Sequence, residues 1–89
     1  MDENSLRGQV IASLIEVAPD VDQSALDPDI NFRDQFEIDS MDFLELVLNL
    51  EKKLGIKIPE VDYPKLSSMR GCLTYLLPLL EATQGTIHE

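Results

Sequence analysis

Asp39 and Ser40 are the residues of this sequence whose types and spacing could support chemistry. Because an Asp-Ser pair at a helix start ordinarily only caps the helix, the first interpretation is structural. If Asp39 accepts the capping hydrogen bond, however, Ser40 is the first helical residue and its hydroxyl is free. A phosphate attached to that hydroxyl would face the unpaired amides and the positive end of the helix dipole. The pair is therefore compatible with a plain cap and with a site for a phosphodiester.

The spacing of the other reactive residues argues against metal binding and catalysis. The segment from Asp27 resembles the start of a calcium loop, but Phe32 stands at its sixth position and Ile38 at its twelfth. A calcium loop needs Gly and a bidentate Glu at those positions. The single cysteine, Cys72, and the single histidine, His88, cannot form a structural zinc site or a Ser-His or Cys-His pair. We therefore expect no metal site, no catalytic residues and no enzyme activity.

Composition narrows the function classes further. The chain has 89 residues, with 17 Asp or Glu against 7 Lys or Arg, which gives a formal net charge of −10. The basic residues are too few and too dispersed to form the cationic face that binding to nucleic-acid phosphates requires. A hydrophobic fraction of 44% is typical of one folded domain with one core, which we assign to residues 1–89. The acidic N-terminus argues against a signal peptide, and the short apolar runs argue against a membrane span. We therefore expect a cytoplasmic protein.

Apolar spacing predicts a first helix that is followed by a long irregular segment. The helix begins at a cap on Asn4 or Ser5 and ends at Pro19. Its apolar residues repeat at helical spacing: Leu6, Val10, Ile11, Leu14 and Ile15. The segment from Pro19 to Asp39 loses this period and is rich in Asp, Asn and Pro, which predicts a loop between helices one and two. A connection of about twenty residues in a compact domain is more often functional than idle.

Two further helices and one short helix complete an all-α fold. The second helix starts at Asp39, which forms an acidic capping box with Asp42, and ends at Leu54 before Gly55. The segment 60–66 is short and is limited by prolines, so it can form no more than one or two turns of a third helix. No segment shows the alternation of a strand, so the fold class is all-α, with three longer helices and one short one.

The last helix begins at a cap on Ser67 or Ser68 and carries a regular apolar stripe. The stripe consists of Met69, Cys72, Leu73, Leu76, Leu77 and Leu80. Cys72 is therefore expected to be a small buried side chain rather than a reactive thiol. Pro78 lies inside this helix and predicts a kink or an early end, and residues 81–89 are expected to form a frayed tail.

The second helix is apolar over about 220° of its circumference, more than the roughly 100° that packing on one core needs. One stripe suffices for the core and consists of Phe43, Leu46, Val47, Leu50 and Leu54. A second stripe lies beside it, is flanked by Asp42 and Glu45, and consists of Met41, Leu44 and Leu48. Either this stripe docks a partner that has an apolar groove and a basic rim, or the long loop covers it.

Taken together, these segments resemble the acyl carrier protein family, whose motif is Asp-Ser-Leu. The resemblance rests on the run from Asp39-Ser40-Met41 to Val47, on Leu50-Glu51, on Gly55-Ile56-Lys57-Ile58-Pro59, and on the final helix. It covers about residues 5 to 80. Members of this family are four-helix bundles whose motif serine carries 4′-phosphopantetheine, and the thiol of that arm holds acyl groups as thioesters.

The resemblance implies a role for each residue that matches the family motif. Ser40 would be the attachment site for phosphopantetheine taken from coenzyme A, and Asp39 would help the phosphopantetheinyl transferase to dock. The partner-facing surface would consist of Met41, Asp42, Leu44, Glu45, Leu48 and Glu51. The implied partners are that transferase (holo-acyl-carrier-protein synthase) and acyl-transferring, condensing or ligase enzymes that have basic docking patches. These enzymes would belong to fatty-acid, lipid or polyketide-type biosynthesis, and the carrier itself is expected to be a monomer.

Four departures from the family pattern bear on which carrier this is. Met41 replaces the usual Leu, a change that conserves volume. Lys52 and Lys53 stand where typical fatty-acid carriers continue in acids, which predicts a different choice of partners. The segment Phe36-Glu37-Ile38 lacks the common small residue, and Pro64 interrupts the short third helix.

Two alternatives to an acyl carrier remain open on the sequence. The first is an aminoacyl or peptidyl carrier, which would use the same serine but is disfavoured by the acidity of the chain. The second is an unmodified helical adaptor that binds its partners through Met41, Leu44 and Leu48.

Overall fold

The computed structural model describes the backbone of residues 1–87 and the side chains of residues 1–81. Over this range the secondary structure is entirely helical, which confirms the all-α prediction. The elements follow in the order α1 (Glu3–Val17), the 3₁₀ helix η1 (Gln23–Ala25), α2 (Phe32–Gln35), α3 (Ser40–Leu54), the 3₁₀ helix η2 (Glu60–Leu66) and α4 (Met69–Ile87). The predicted short third helix is thus a 3₁₀ helix, and the predicted loop contains two short helices of its own.

Local capping explains where the long helices begin and end. The cap of α1 is Asp2, whose Oδ1 accepts the Ser5 N–H at 2.7 Å, so the predicted cap on Asn4 or Ser5 is wrong. Gly55 ends α3 with a φ of 65°, a left-handed conformation that only glycine adopts without strain. Ser68 caps α4, because its Oγ accepts the Gly71 N–H at 3.1 Å. This confirms the second of the two predicted caps, Ser67 and Ser68.

Pro78 does not end α4, which continues through it to Ile87. Of the two predicted alternatives, the early end is therefore wrong and the kink stays a prediction. Pro78 and Thr74, whose carbonyl loses its helical partner, both lie on the exposed side of the helix, where water can replace the missing bond. The expected frayed tail is helical as far as Ile87, and residues 88 and 89 lie outside the described residues.

One cluster of buried apolar side chains joins the three long helices. α1 packs against α3 and α4, and η2 packs against α4. The cluster comprises Leu6, Val10, Leu14, Phe32, Ile38, Leu46, Val47, Leu50, Ile58, Leu66, Met69, Cys72, Leu73, Leu76 and Leu80. All three long helices and both connecting segments contribute to it, so their relative positions are set by a shared core.

Phe32 and its neighbours hold the long segment between α1 and α3 against the start of α4. The Phe32 side chain is fully buried, and its N–H donates to the Ser67 carbonyl at 2.7 Å. The Arg70 N–H donates to the Pro28 carbonyl at 2.9 Å, and the Arg70 guanidinium forms an ion pair with Asp29. This hydrogen-bonded ion pair lowers the pKa of Asp29 below its ordinary value. The segment that leads into α3 is therefore fixed at its middle by contacts with distant residues.

η2 approaches α4 so closely at Gly71 that no side chain fits there. A Cβ on Gly71 would overlap the Lys65 carbonyl oxygen. Nearby, the Tyr75 hydroxyl donates to Asp62 Oδ2 at 2.8 Å, and this bond, together with Lys65, lowers the pKa of Asp62. The position of η2 on α4 therefore depends on the absence of a side chain at Gly71.

Replacing Gly71 with Ala is expected to lower the free energy of unfolding by about 1–3 kcal/mol, because the new methyl group forces η2 away from α4. The matched control is Gly8→Ala in α1, where no atom lies within 4 Å of the added Cβ. That control is expected to raise the stability by up to about 1 kcal/mol. Urea denaturation of both variants measures the difference, and equal effects would contradict the close approach.

Candidate functional site

The N-terminus of α3 is closed by a reciprocal pair of hydrogen bonds between two acids. Asp39 Oδ1 accepts the Asp42 N–H at 2.9 Å, and Asp42 Oδ2 accepts the Asp39 N–H at 3.2 Å. This arrangement confirms the predicted capping box. Both carboxylates are thereby directed at the backbone on either side of the first helical residue.

Ser40 is that first helical residue, and its side chain is exposed. Its Oγ forms no hydrogen bond with any group in the part of the chain that the structure describes. Among the same residues, no group accepts a hydrogen bond from the backbone N–H groups of Ser40 and Met41. A free hydroxyl therefore lies beside free amides at the positive end of a helix of 15 residues, which is an environment that suits a phosphodiester.

An open groove of about 660 Å³ lies between α3, η2 and the segment that precedes α3. Ile38 and Phe43, which line it, come two residues before and three residues after Ser40 in the chain. Tyr63 and Pro64 of η2 also line it, and its charged lining residues are Arg33, Asp34 and Glu60. The groove combines apolar and polar walls, and Ser40 itself is not among the residues that line it.

The second apolar stripe of α3 is open to solvent. Met41 is 72% exposed, Leu48 49% and Leu44 41%. The long segment therefore does not cover these side chains, so that interpretation of the stripe is wrong, and docking of a partner stays a prediction. The other stripe packs inward as predicted, with Leu46, Val47 and Leu50 buried and Phe43 and Leu54 packed against the core.

The acidic residues of α3 that were predicted to face a partner differ in whether their carboxylates are exposed and unbonded. Glu45 is exposed, whereas Asp42 is half-buried and occupied by the capping box. Glu51 is also half-buried, and its Oε2 accepts the Ile58 N–H at 2.7 Å. The Glu51 carboxylate thus binds the segment between α3 and η2. This contact spans seven residues through a non-helical turn, and no short-range sequence pattern indicates it.

Sequence reasoning missed one exposed apolar residue of η2 and two residues that line the groove. Val61, on η2, is 83% exposed. The sequence did not indicate this exposure, because an apolar side chain in a segment without periodicity can be either buried or exposed. Arg33 and Tyr63 line the groove because of the chain's path and not because of any motif.

The single cysteine and the groups that could bind a metal are the remaining candidates for reactivity. Cys72 is buried in the core, where burial raises the pKa of its thiol to about 12. Its Sγ donates to the Leu66 carbonyl at 3.4 Å. Within the described residues, no group of His, Cys, Asp and Glu side chains could hold a metal ion. None of the helices there is long and apolar enough to cross a membrane.

Replacing Glu51 with Ala is expected to lower the free energy of unfolding by about 1–3 kcal/mol, because the Ile58 N–H loses its acceptor in a partly buried position. The control is Glu51→Gln, which keeps an acceptor oxygen at the same place and should lose less than half as much. Urea denaturation at neutral pH compares the two variants. If both are as stable as the wild type, Glu51 does not fix the segment after α3.

Comparison with known proteins assigns the chain to a family. The family profile described as "Phosphopantetheine attachment site" matches residues 9–74. The acyl carrier protein of Rubrobacter xylanophilus is 30% identical over 74 residues, which cover 80% of this chain and 91% of that protein. The acyl carrier protein of Lactobacillus johnsonii is 35% identical over 66 residues, with 74% and 82% covered.

A third relative is the meromycolate extension acyl carrier protein of Mycobacterium leprae, 34% identical over 71 residues. These residues cover 80% of this chain but only 62% of that longer protein. The profile match spans the whole of α3, including its capped start, and parts of α1 and α4. The chain belongs to the acyl carrier protein family, whose members carry covalently attached 4′-phosphopantetheine and have no catalytic activity of their own.

Proposed function

We propose that Ser40 is the residue that carries 4′-phosphopantetheine and that the protein delivers acyl intermediates to partner enzymes of fatty-acid, lipid or polyketide-type biosynthesis. The observation that supports this most directly is the free, exposed hydroxyl of Ser40 at the capped start of α3. When bound, the group supplies a terminal thiol on which acyl chains are held as thioesters. The chain's own residues hold the attachment point and present it to other proteins.

The residues around Ser40 fit a phosphodiester by charge and by hydrogen-bonding capacity. Because Asp39 occupies the capping role, the Ser40 hydroxyl need not accept from the helix amides and stays available to a transferase. The amides of Ser40 and Met41 can then donate to phosphate oxygens. The positive end of the helix dipole stabilises the negative charge of the diester. Asp39 is exposed, and only its Oδ1 is used by the cap, which supports a contact between its other carboxylate oxygen and a basic residue of the transferase.

The partner-binding surface is proposed to be the open face of α3. Its apolar part consists of Met41, Leu44 and Leu48, and Glu45 supplies an exposed negative charge beside them. A partner with an apolar groove and a basic rim matches this face. Asp42 and Glu51 are also carboxylates on α3, but their hydrogen bonds to the backbone make their main contribution structural.

Two other functions would use the same residues. An aminoacyl or peptidyl carrier would carry its arm on Ser40 as well, but the acyl carrier proteins among the relatives favour acyl cargo. An unmodified adaptor would use only the exposed stripe of α3. Modification of Ser40 separates the adaptor from both kinds of carrier.

Ser40→Ala is expected to abolish modification while leaving the free energy of unfolding within about 0.5 kcal/mol of the wild type, because the Ser40 hydroxyl has no partner to lose. Both proteins are incubated with coenzyme A, magnesium and a broad-specificity phosphopantetheinyl transferase. Intact-mass spectrometry then counts the adducts, and fragmentation locates them. The wild type should gain one phosphopantetheine on Ser40.

The matched control for this experiment is Ser5→Ala, which removes an exposed serine from the first turn of another Asp-capped helix. This variant should be modified as the wild type is. An adduct that persists on Ser40→Ala would refute the assignment of the site. Folded wild-type protein that gains no adduct would favour the adaptor.

Reversing the charge of Glu45 (Glu45→Lys) is expected to lower kcat/KM of the transferase by about two- to tenfold, because an exposed charge contributes modestly to a basic docking patch. The loss should shrink as the salt concentration rises, since exposed pairs are screened. The control is Glu81→Lys, which makes the same change of charge at an exposed position on α4. If both variants are modified at the wild-type rate, the acidic part of α3 does not guide the transferase.

A further inference from the structure

The charged residues in the last turns of α3 form polar contacts with different parts of the chain. Lys53 Nζ forms an ion pair of 2.7 Å with Glu16 Oε2 on α1, which lowers the pKa of Glu16. One turn earlier on the same side, Asn49 Oδ1 accepts the Ser13 hydroxyl at 3.3 Å. Glu51 is turned to the other side and binds Ile58. Lys53 and Glu51 are therefore both occupied by contacts inside the molecule.

Lys52 is the exception in this group. It is exposed, and in the part of the chain that the structure describes it has no ion-pair or hydrogen-bond partner. With 3.6 residues per turn, Lys52 lies about 20° from Met41 and about 40° from Leu48 around the helix axis. Lys52 therefore continues the exposed stripe by one turn and places a positive charge at its far end.

The open face of α3 thus has two ends of opposite charge. Glu45 lies in the second turn of α3, and Lys52 lies about 10 Å further along the axis. The exposed side chains of Met41, Leu44 and Leu48 form the apolar part of this face. In a chain of net charge −10, a lysine at this place differs in sign from most of its surroundings.

A local explanation for Lys52 also exists. Basic side chains in the last turn of a helix interact favourably with its dipole, and Lys52 and Lys53 both occupy that turn. This effect contributes to stability whether or not a partner is present. It therefore predicts a change in melting temperature and no change in the choice of partner, which makes the two explanations separable.

We propose that Lys52 is a specificity-determining residue of the docking face. This inference rests on the proposed function of that face. The matching partner is an enzyme whose docking groove has a basic residue opposite Glu45 and an acidic residue about 10 Å along the groove, opposite Lys52. A partner whose patch is basic throughout is disfavoured, because Lys52 then meets a like charge.

The test uses the protein with its arm and an acyl group attached, and a condensing enzyme whose docking patch is basic throughout. Replacing Lys52 with Glu is expected to raise kcat/KM for acyl transfer by about three- to tenfold, because repulsion becomes attraction. The control is Lys57→Glu, since Lys57 is exposed, lies beyond the end of α3 and forms no ion pair within the described part of the chain. That variant carries the same net charge but should transfer at nearly the wild-type rate.

A reciprocal change in the partner sharpens this experiment. Replacing the basic residue at the far end of the partner's patch with Glu should raise transfer from the wild-type carrier and lower transfer from Lys52→Glu. This crossover would show that the two positions meet. A change in melting temperature without any change in transfer would mean that Lys52 serves only the helix dipole, and would overturn the inference.

The same preparations separate this inference from the proposed function. Every variant is first loaded by the transferase, and its mass is measured before transfer begins. If no variant is modified on Ser40, the proposed function fails. If all variants are modified and Lys52→Glu transfers as Lys57→Glu does, the carrier function stands and the role of Lys52 is wrong.

Discussion

The capping box at the start of α3 is the interaction on which the candidate site depends. Asp39 and Asp42 each accept a hydrogen bond from the backbone N–H of the other, which stabilises the helix start and leaves the Ser40 hydroxyl unbonded. Without these acids, the serine itself would be a good acceptor for the helix amides. The two carboxylates therefore keep the hydroxyl available, in addition to any contact that they make with a partner.

α3 is held on three sides and open on the fourth. Its buried leucines pack in the core, Lys53 and Asn49 face α1, and Glu51 binds the segment that follows the helix. Because polar contacts on both flanks fix the rotation of the helix about its axis, the same residues always point outward. The exposed stripe that begins at Met41 is consequently presented as a defined surface, although it contributes nothing to the core.

The size and charge of this open face suit a carrier that must leave each enzyme after delivery. A few exposed apolar side chains bury too little area for tight binding. A net charge of −10 raises the rate of encounter with basic partners more than it raises affinity. On the proposed docking face, Glu45 and Lys52 have opposite signs, which would distinguish partners by the pattern of their charges.

The sequence by itself determined the presence of the three long helices, because their apolar residues repeat at helical spacing. It likewise determined where α3 begins and ends, because its capping box and a glycine that tolerates positive φ act within a few residues of the helix ends. It also determined the family and the candidate residue Ser40. The short helices between α1 and α3, the contact of Glu51 with Ile58 and the exposure of Met41 were decided only by the tertiary structure. Periodicity defines the faces of a helix, but which face is covered depends on residues distant in the chain that pack against it.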